Sequence, residues 1–517
     1  MRSHRPVIMG GNGIVATGHP LASVAALDVL KGGGNAFDAA LCASAVLSVV
    51  KSYHCGLGGD LFGIFHSAKE RAVLVLNGSG RSPRLLRREL FSDRIPHRGI
   101  LAANTPGTVD AWFEIAARLG SRTVKDLLEP AIEHAQAGFP VFPHLRSVIQ
   151  SSQKTLGSDP VWAKIFLPGG KLPEIGDRLI QQDLAGSLAQ IATAGREAFY
   201  SGEIAQSLVR TSERNGGCFS APDLSGHRSR WEEPLRGSYR GYDIYVPPPN
   251  SYGLLLLLQL KFLADYDLAQ YANNIPEYVA LQIRAKDEAW SKGRFWIGDP
   301  EQYQRADILE LINGYPAVSV RPAADITTGK QGTDTTYLAA VDKMGNWASV
   351  IQSVHQSFGC GVVADGTGIV LNNRMTGFNL IPGHPNELAA AKRPAHTLSP
   401  TLILKGKTPV LAIGTPGGLG QTQFLTQIVC NLFDFSMNLQ EAVEAPRWQS
   451  EAQRHVDLES RYSTQVRDFL ISQGYDVKTW GPWEFAFGGA EATALHKNGE
   501  VLMGAADPRR DGYAIGW

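Results

Sequence analysis

Residues 332–359 read GTDTTYLAAVDKMGNWASVIQSVHQSFG. TTYLAAV and WASVIQSV are short β-rich runs joined by DKMGN, with Gly345 and Asn346 in the turn, so the stretch predicts a β-hairpin. Thr335 opens it. Strand threonines ordinarily only pack, and a threonine hydroxyl without a base beside it is a poor nucleophile. The segment before it, ADITTGKQGTD (324–334), is polar, contains glycine and predicts an exposed connector of the kind where chains are nicked. Cutting the bond before Thr335 would expose an α-amine with a pKa of about 7.7–8.0, able to act as base for the hydroxyl of its own residue. Thr335 is therefore a candidate N-terminal nucleophile that needs no separate His–Asp pair.

The surroundings predict a layered fold. Upstream, HPLASVAALDVLKGGGNAFDAALCASAVLSVV has a helical period from Leu21 to Leu30, three glycines that stop it, and a second helix starting near Asn35 to Asp38. RAVLVLNGSGRSP predicts a strand and a Gly-rich turn, and residues 120–240 predict mainly helix. GYDIYVPPPN predicts a strand and YGLLLLLQLKFLA, from Tyr252, a buried helix; it contains Lys261 and is too short to cross a bilayer. Beyond the hairpin, GIVLNN, TLIL and PVLAIGT predict strands, and GGLGQTQFLTQIVCNLFDF begins a helix. Strands with helices on their faces imply a layered α/β or α+β core.

Composition narrows the function. The chain has 517 residues, 55 of them glycine; 19% are charged, below the usual ~25%, which suits one large packed globule rather than disorder. Lys+Arg and Asp+Glu both number 49, so charge supplies no case for nucleic acid or an anionic membrane, and a small molecule is the expected partner. Five scattered cysteines without CxxC spacing predict neither a disulfide framework nor a zinc site, and point to a reducing cytoplasm. The N-terminus has no apolar h-region of a signal peptide. The 13 histidines show no HExxH pattern, so neither metal nor cofactor is expected.

Three further motifs lack the features that would make them sites on their own. IGTPGGLGQTQ (413–423) lacks the Gly-Lys-Ser/Thr ending of a phosphate loop, although its glycine pair could offer two N–H groups to an oxyanion. Ser151 and Lys154 match Ser-x-x-Lys without companion boxes, and PNSYG around Ser251 has Pro249 where a nucleophile elbow has glycine.

Ten segments in order, among them CGLGGDLF, GSGRSP, NTPGTVDAW, PPPNSYG, DTTYLAAVDKMGN, KRPAHTLSPTLIL, GTPGGLG and AADPRRDGYAIGW, resemble the gamma-glutamyltranspeptidase family of N-terminal-nucleophile hydrolases. The resemblance implies an α+β, four-layer αββα sandwich and self-cleavage between Asp334 and Thr335. The products would be a large subunit, 1–334, and a small one, 335–517, held as a heterodimer that could pair further. It places the nucleophile on Thr335, its supporting hydroxyl on Ser353, the oxyanion glycines on Gly417 and Gly418, and a carboxylate-binding arginine on Arg81.

Departures from the family pattern bear on the substrate. Where glutathione-cleaving members have NNQMDDF, with an acid that grips an α-amino group, this chain has NNRMTGF, placing Gly377 at the acid and Arg374 at the glutamine. His355 replaces an asparagine, and His396 and Thr397 replace a serine pair. The segment between Phe378 and Lys392 is too short for the lid of some relatives, as in the acylase-like branch. A pocket that loses an acid and gains basic groups favours a small anionic amide. Oxamate, hydrolysed to oxalate and ammonia as in purine degradation, ranks first; the alternatives are a γ-glutamyl or glutathione hydrolase or transferase, a glutaryl-type acylase, and a silent anion-binding relative.

Overall fold

The computed structural model describes residues 3–271, 274–314, 334–450 and 454–517. The connector at 324–333 lies outside the described residues, while Asp334 and Thr335 lie within them.

Two seven-stranded antiparallel sheets carry the fold. The first runs, in spatial order, Ile8–Gly10, Leu502–Ala506, Glu491–Leu495, Thr408–Gly414, Thr401–Lys405, Tyr242–Val246 and Leu235–Tyr239. The second runs Tyr513–Gly516, Gly13–Thr17, Thr336–Asp342, Trp347–Ser353, Asp60–Ser67, Ala72–Gly78 and Arg230–Glu232. The expected hairpin is at its centre, pairing Thr336 with Gln352, and Gly345 turns the chain at φ +83°. Pieces 1–334 and 335–517 each contribute strands to both sheets, so a cut before Thr335 would divide the chain without dividing its cores.

Strand alternation builds the layers. Tyr337, Ala339, Val341, Ile351, Phe62 and Ile64 on one face of the hairpin sheet pack against Leu402, Leu404 and Ala412 of the other sheet. The opposite face, with Leu338, Ala340, Ala348 and Val350, packs against the early helices. Helix Pro20–Lys31 starts at His19 and ends at Gly32; helix Ala36–Val50 begins with a reciprocal Asn35–Asp38 capping box and is buried along its whole length. Its many alanines let it lie close to the sheet. On the far side, helix Gly253–Ala264, the apolar run read from the sequence, is largely buried against the first sheet together with helix Gln421–Phe433. The order is helices, sheet, sheet, helices. No helix among the described residues is long and apolar enough to cross a membrane.

GIVLNN gives less strand than its composition suggests. Ile369–Val370 pairs in a two-stranded ribbon with Val363–Ala364, and Leu371 adds a single parallel bridge to Gly58. The following Asn372 is used otherwise: its side chain donates to Gly58 O and Asn104 O, tying this loop to the start of strand Asp60–Ser67. Ser151 lies on helix Pro143–Leu156 and donates to Val148 O, while Ser251 donates to Leu398 O; both hydroxyls are structural.

Candidate active site

The site lies at one end of the two sheets. Continued by one residue, the hairpin register sets Thr335 beside Ser353, and Ser353 faces Asp60 on the next strand. Cross-strand neighbours share a face. The row Thr335–Ser353–Asp60 therefore points between the sheets, like Tyr337, Ile351 and Phe62 in the rows behind it.

The peptide Asp334–Thr335 is held from several sides. Thr335 Oγ1 is 2.8 Å from the carbonyl oxygen of Asp334 and 3.1 Å from Ser353 Oγ. Ser353 Oγ donates to the same carbonyl oxygen at 2.8 Å and accepts from the His355 amide at 2.7 Å. Two hydroxyls thus converge on one carbonyl, in a buried place where a hydrogen bond to developing charge is worth more than in water. We expect Ser353→Ala to slow cleavage before Thr335 by about 10²-fold, the usual loss for one oxyanion donor, as followed by the appearance of two bands on denaturing gels; wild-type kinetics would disconnect Ser353 from the carbonyl.

Beyond Ser353 stands a buried charged group. Asp60 Oδ1 accepts from the Gly80 amide at 2.9 Å; Oδ2 lies 3.0 Å from His396 Nε2 and 3.7 Å from Arg374 Nε. Burial pushes Asp60 up to about 6, against the pull of Arg374. Burial also lowers Arg374 to about 10, with Asp60 opposing. His396 and His355 are pushed well below the ordinary histidine value by burial and then by Arg374, so both rings are neutral at pH 7. Arg374 Nε and Nη2 and His396 Nδ1 are buried without a hydrogen-bond partner. Arg374 Nη2 therefore keeps unused donor capacity toward an anion, whereas Nε faces Asp60, and His396, whose Nε2–H meets the Asp60 carboxylate, leaves Nδ1 as an acceptor.

His355 lies near this group but turns its ring elsewhere: Nδ1 is 3.0 Å from Thr376 Oγ1 and 3.3 Å from Asn373 O. Its backbone is left-handed at φ +80°, a costly conformation for a non-glycine residue just past the nucleophile hairpin. Thr397, buried beside His396, leads into strand Thr401–Lys405. Gly417 and Gly418 form the turn between strand Thr408–Gly414 and helix Gln421–Phe433, with φ of +133° and +56°. A Cβ on Gly417 would lie 2.6 Å from the Phe424 ring, so glycine is required there. The turn is at the same end as Thr335: Gly414 pairs with Glu491, and a Cβ on Gly18 would meet both Thr336 and Glu491.

Arg81, expected to bind a carboxylate, lies apart from this group. Its guanidinium is taken by Asp299 at 3.3 Å, Glu301 at 2.7 Å and Ala391 O at 2.7 Å, in a crevice also lined by Arg84, Arg228, Arg230 and Arg393. Two carboxylates already neutralise it. Gly377 adds a second finding: a Cβ there would lie 2.5 Å from the Ala395 carbonyl oxygen. The position of the family's acid is closed to any side chain unless the backbone moves.

Sequence reading passed over Asp60, His54 and Ser357. An acid inside the apolar strand DLFGIF was a visible anomaly, because a buried carboxylate needs partners. His54 and Ser357 carried no such signal. Among the described residues no three His, Cys, Asp or Glu side chains converge to hold a metal ion.

Comparison with known proteins agrees with the resemblance. The family profile described as Gamma-glutamyltranspeptidase matches residues 22–517. The glutathione hydrolase-like YwrD proenzyme of Bacillus subtilis is 37% identical, over 98% of this chain and 99% of its own length. The oxamate amidohydrolase proenzyme of Klebsiella pneumoniae is 32% identical, over 98% of both. The crystal structure of cephalosporin acylase from Bacillus halodurans superposes with a TM-score of 0.91 at 32% identity, covering 100% of this chain and 98% of that one.

Proposed function

The chain belongs to the gamma-glutamyltranspeptidase family of amide-bond hydrolases, and from that premise we propose that it is a self-processing amidohydrolase in which Thr335 hydrolyses a small anionic amide. The observation that carries this reading is the convergence of Thr335 Oγ1 and Ser353 Oγ on the carbonyl oxygen of Asp334. In the precursor, Thr335 Oγ attacks that carbonyl carbon while Ser353 stabilises the oxyanion. The Asp334–Thr335 bond breaks, the hydroxyl proton passes to the released nitrogen, and water then hydrolyses the resulting ester. The two pieces, 1–334 and 335–517, stay together because they share both sheets; a heterodimer, able to pair with a second, is the expected assembly.

In turnover the free α-amine of Thr335 takes the hydroxyl proton, the hydroxyl attacks the substrate amide, and the N–H groups of Gly417 and Gly418 receive the oxyanion. Ammonia or an amine leaves, and water releases the acid. The amine must be unprotonated, so activity should be present above a pKa of about 7.7–8.0 and decline as pH falls through it. A rate profile of the cut enzyme between pH 6 and 9 tests this; a flat profile would remove the α-amine as base.

The substrate reading rests on Arg374. Its unpartnered Nη2, with two N–H groups, suits a carboxylate on the acyl side, and oxamate is the smallest amide that carries one. The closed space at Gly377 counts against a γ-glutamyl group, whose ammonium would find no acid there. The glutathione hydrolase-like relative keeps that reading as the second one, and the likeness to a cephalosporin acylase supports a longer, glutaryl-type acid as the third. Ammonia release from oxamate, assayed beside cleavage of γ-glutamyl and glutaryl anilides, orders the three. Five free cysteines accord with a cytoplasmic setting. A protein that stays as one band and binds oxalate without turnover would instead be a silent anion-binding relative.

A further inference from the structure

The side chain of Asp334 is held as firmly as its carbonyl. Ser357 donates to Oδ2 from its backbone N–H at 2.8 Å and again from its hydroxyl. On the other side, His54 Nε2 stands 3.0 Å from Oδ1, a close polar contact that lacks the alignment of a full hydrogen bond, and the His54 side chain is completely buried. Burial pushes His54 down to about 4 against the pull of Asp334, so the ring is neutral at pH 7, and protonation at Nε2 is the tautomer that suits the carboxylate. Burial alone would raise Asp334, but His54, Ser357 and Arg510 outweigh it and hold the carboxyl well below its usual range. The carboxylate is therefore charged and anchored by groups from two distant parts of the chain.

His54 is itself fixed. It packs beside Tyr53, His144 and Phe485, with ring centroids at 4.1, 5.4 and 5.7 Å, and its carbonyl accepts from the Val354 amide at 2.9 Å. Ser357 lies four residues beyond Ser353, in a loop pinned by Arg98, which donates to the carbonyl of Ser357 at 2.8 Å. The two ends of the anchor thus belong to rigid surroundings, and both attach to the hairpin that carries the nucleophile.

We propose that His54 and Ser357 form a clamp on the Asp334 carboxylate that positions the scissile carbonyl for self-cleavage. The inference rests on the self-processing reading above and adds what that reading lacks: a reason why this one peptide bond is cut. A carbonyl is attacked only when nucleophile and carbon are aligned, and a misplacement of about 1 Å can cost about 10²-fold in rate. Thr335 and Ser353 act on the carbonyl. The clamp fixes the side-chain carboxyl of the same residue, three bonds away from the carbonyl carbon, and so restricts rotation about the Asp334 backbone. His54 and Ser357 are positioning residues: neither touches the reacting atoms, and the chemistry remains the transfer of the Asp334 acyl group from nitrogen to Thr335 Oγ, followed by uptake of one water.

The test follows cleavage of full-length chains made by cell-free synthesis, sampled over time on denaturing gels. His54→Leu, Ser357→Ala and Asp334→Ala should each slow formation of the 335–517 piece by about ten- to hundred-fold. His54→Gln, which keeps an N–H donor near the Nε2 position, should restore most of the rate. Ammonia release per cut molecule should stay within about two-fold of wild type, because turnover makes no use of Asp334 once it is severed. A clamp that served only the fold would lower the melting temperature and lose cleavage and turnover together, without rescue by His54→Gln; that pattern would overturn the proposal. Wild-type cleavage kinetics in Asp334→Ala would overturn it as well. If the wild-type chain itself never divides, the self-processing reading fails; if it divides but the variants divide as fast, only the clamp fails.

Discussion

Thr335→Ala chains should remain a single polypeptide and release no measurable ammonia from any amide, a loss of at least about 10⁴-fold relative to wild type. Both losses have one origin. Among the described residues two hydroxyls reach the Asp334 carbonyl oxygen. Removing that of Thr335 leaves Ser353, whose oxygen is engaged by the His355 amide and whose attack would generate no amine at position 335 able to serve as its own residue's base. Without the cut no α-amine appears at position 335, so the base disappears with the nucleophile. The fold should persist, because Thr335 loses only a methyl and a hydroxyl at the end of a strand whose remaining residues stay paired on both sides. Mass spectrometry and circular dichroism check the two statements together. Thr335→Ser provides the converse: it keeps oxygen and amine, and should cut and turn over at a reduced rate. A divided Thr335→Ala chain would mean that another protease makes the cut, and a fully active undivided one would end the N-terminal-nucleophile reading.

Much of this site could be read without coordinates. The hairpin, its turn at Gly345 and the two opening helices follow from local periodicity and capping, and all lie where the pattern sets them. Thr335, Ser353 and the Gly417–Gly418 turn came from motif resemblance and are brought to one end of the sheets. What stayed hidden are relations between residues remote in sequence. Asp60 meets His396 across 336 positions, and no local pattern encodes that pairing. Arg81 is the converse: its motif was conspicuous, yet the partners tertiary packing supplies to its guanidinium, Asp299 and Glu301, come from residues more than 200 positions away. Gly377 was read as an acid lost by substitution, whereas the Ala395 carbonyl fills the space a side chain would need. Restoring aspartate at that one position would strain the backbone before it reached a ligand.

The substrate assignment turns on Arg374. In Arg374→Met, kcat/KM for oxamate should drop by about 10²–10³-fold, while hydrolysis of a neutral amide of similar size should change by less than about five-fold. Two charge-assisted hydrogen bonds at about 1.5–3 kcal/mol each, less than additive because they share one anion, set that range. The same change threatens the fold, since removing one partner of a buried ion pair typically costs about 3–5 kcal/mol. Here Asp60 limits that penalty. Its carboxyl, already pushed up to about 6, can take a proton once Arg374 is gone, and it keeps the Gly80 amide and His396 as partners. The sign follows: Arg374→Met should be less stable at pH 8, where Asp60 must stay charged, than at pH 5.5, where it need not. Asp60→Asn in the same chain should remove that pH dependence and return a folded protein for the assay. A folded double variant that hydrolyses oxamate at the wild-type rate would place the substrate's carboxylate elsewhere and reopen the longer-chain acids. Selective loss of the anionic substrate would instead assign the orphaned Arg374 nitrogens to its recognition.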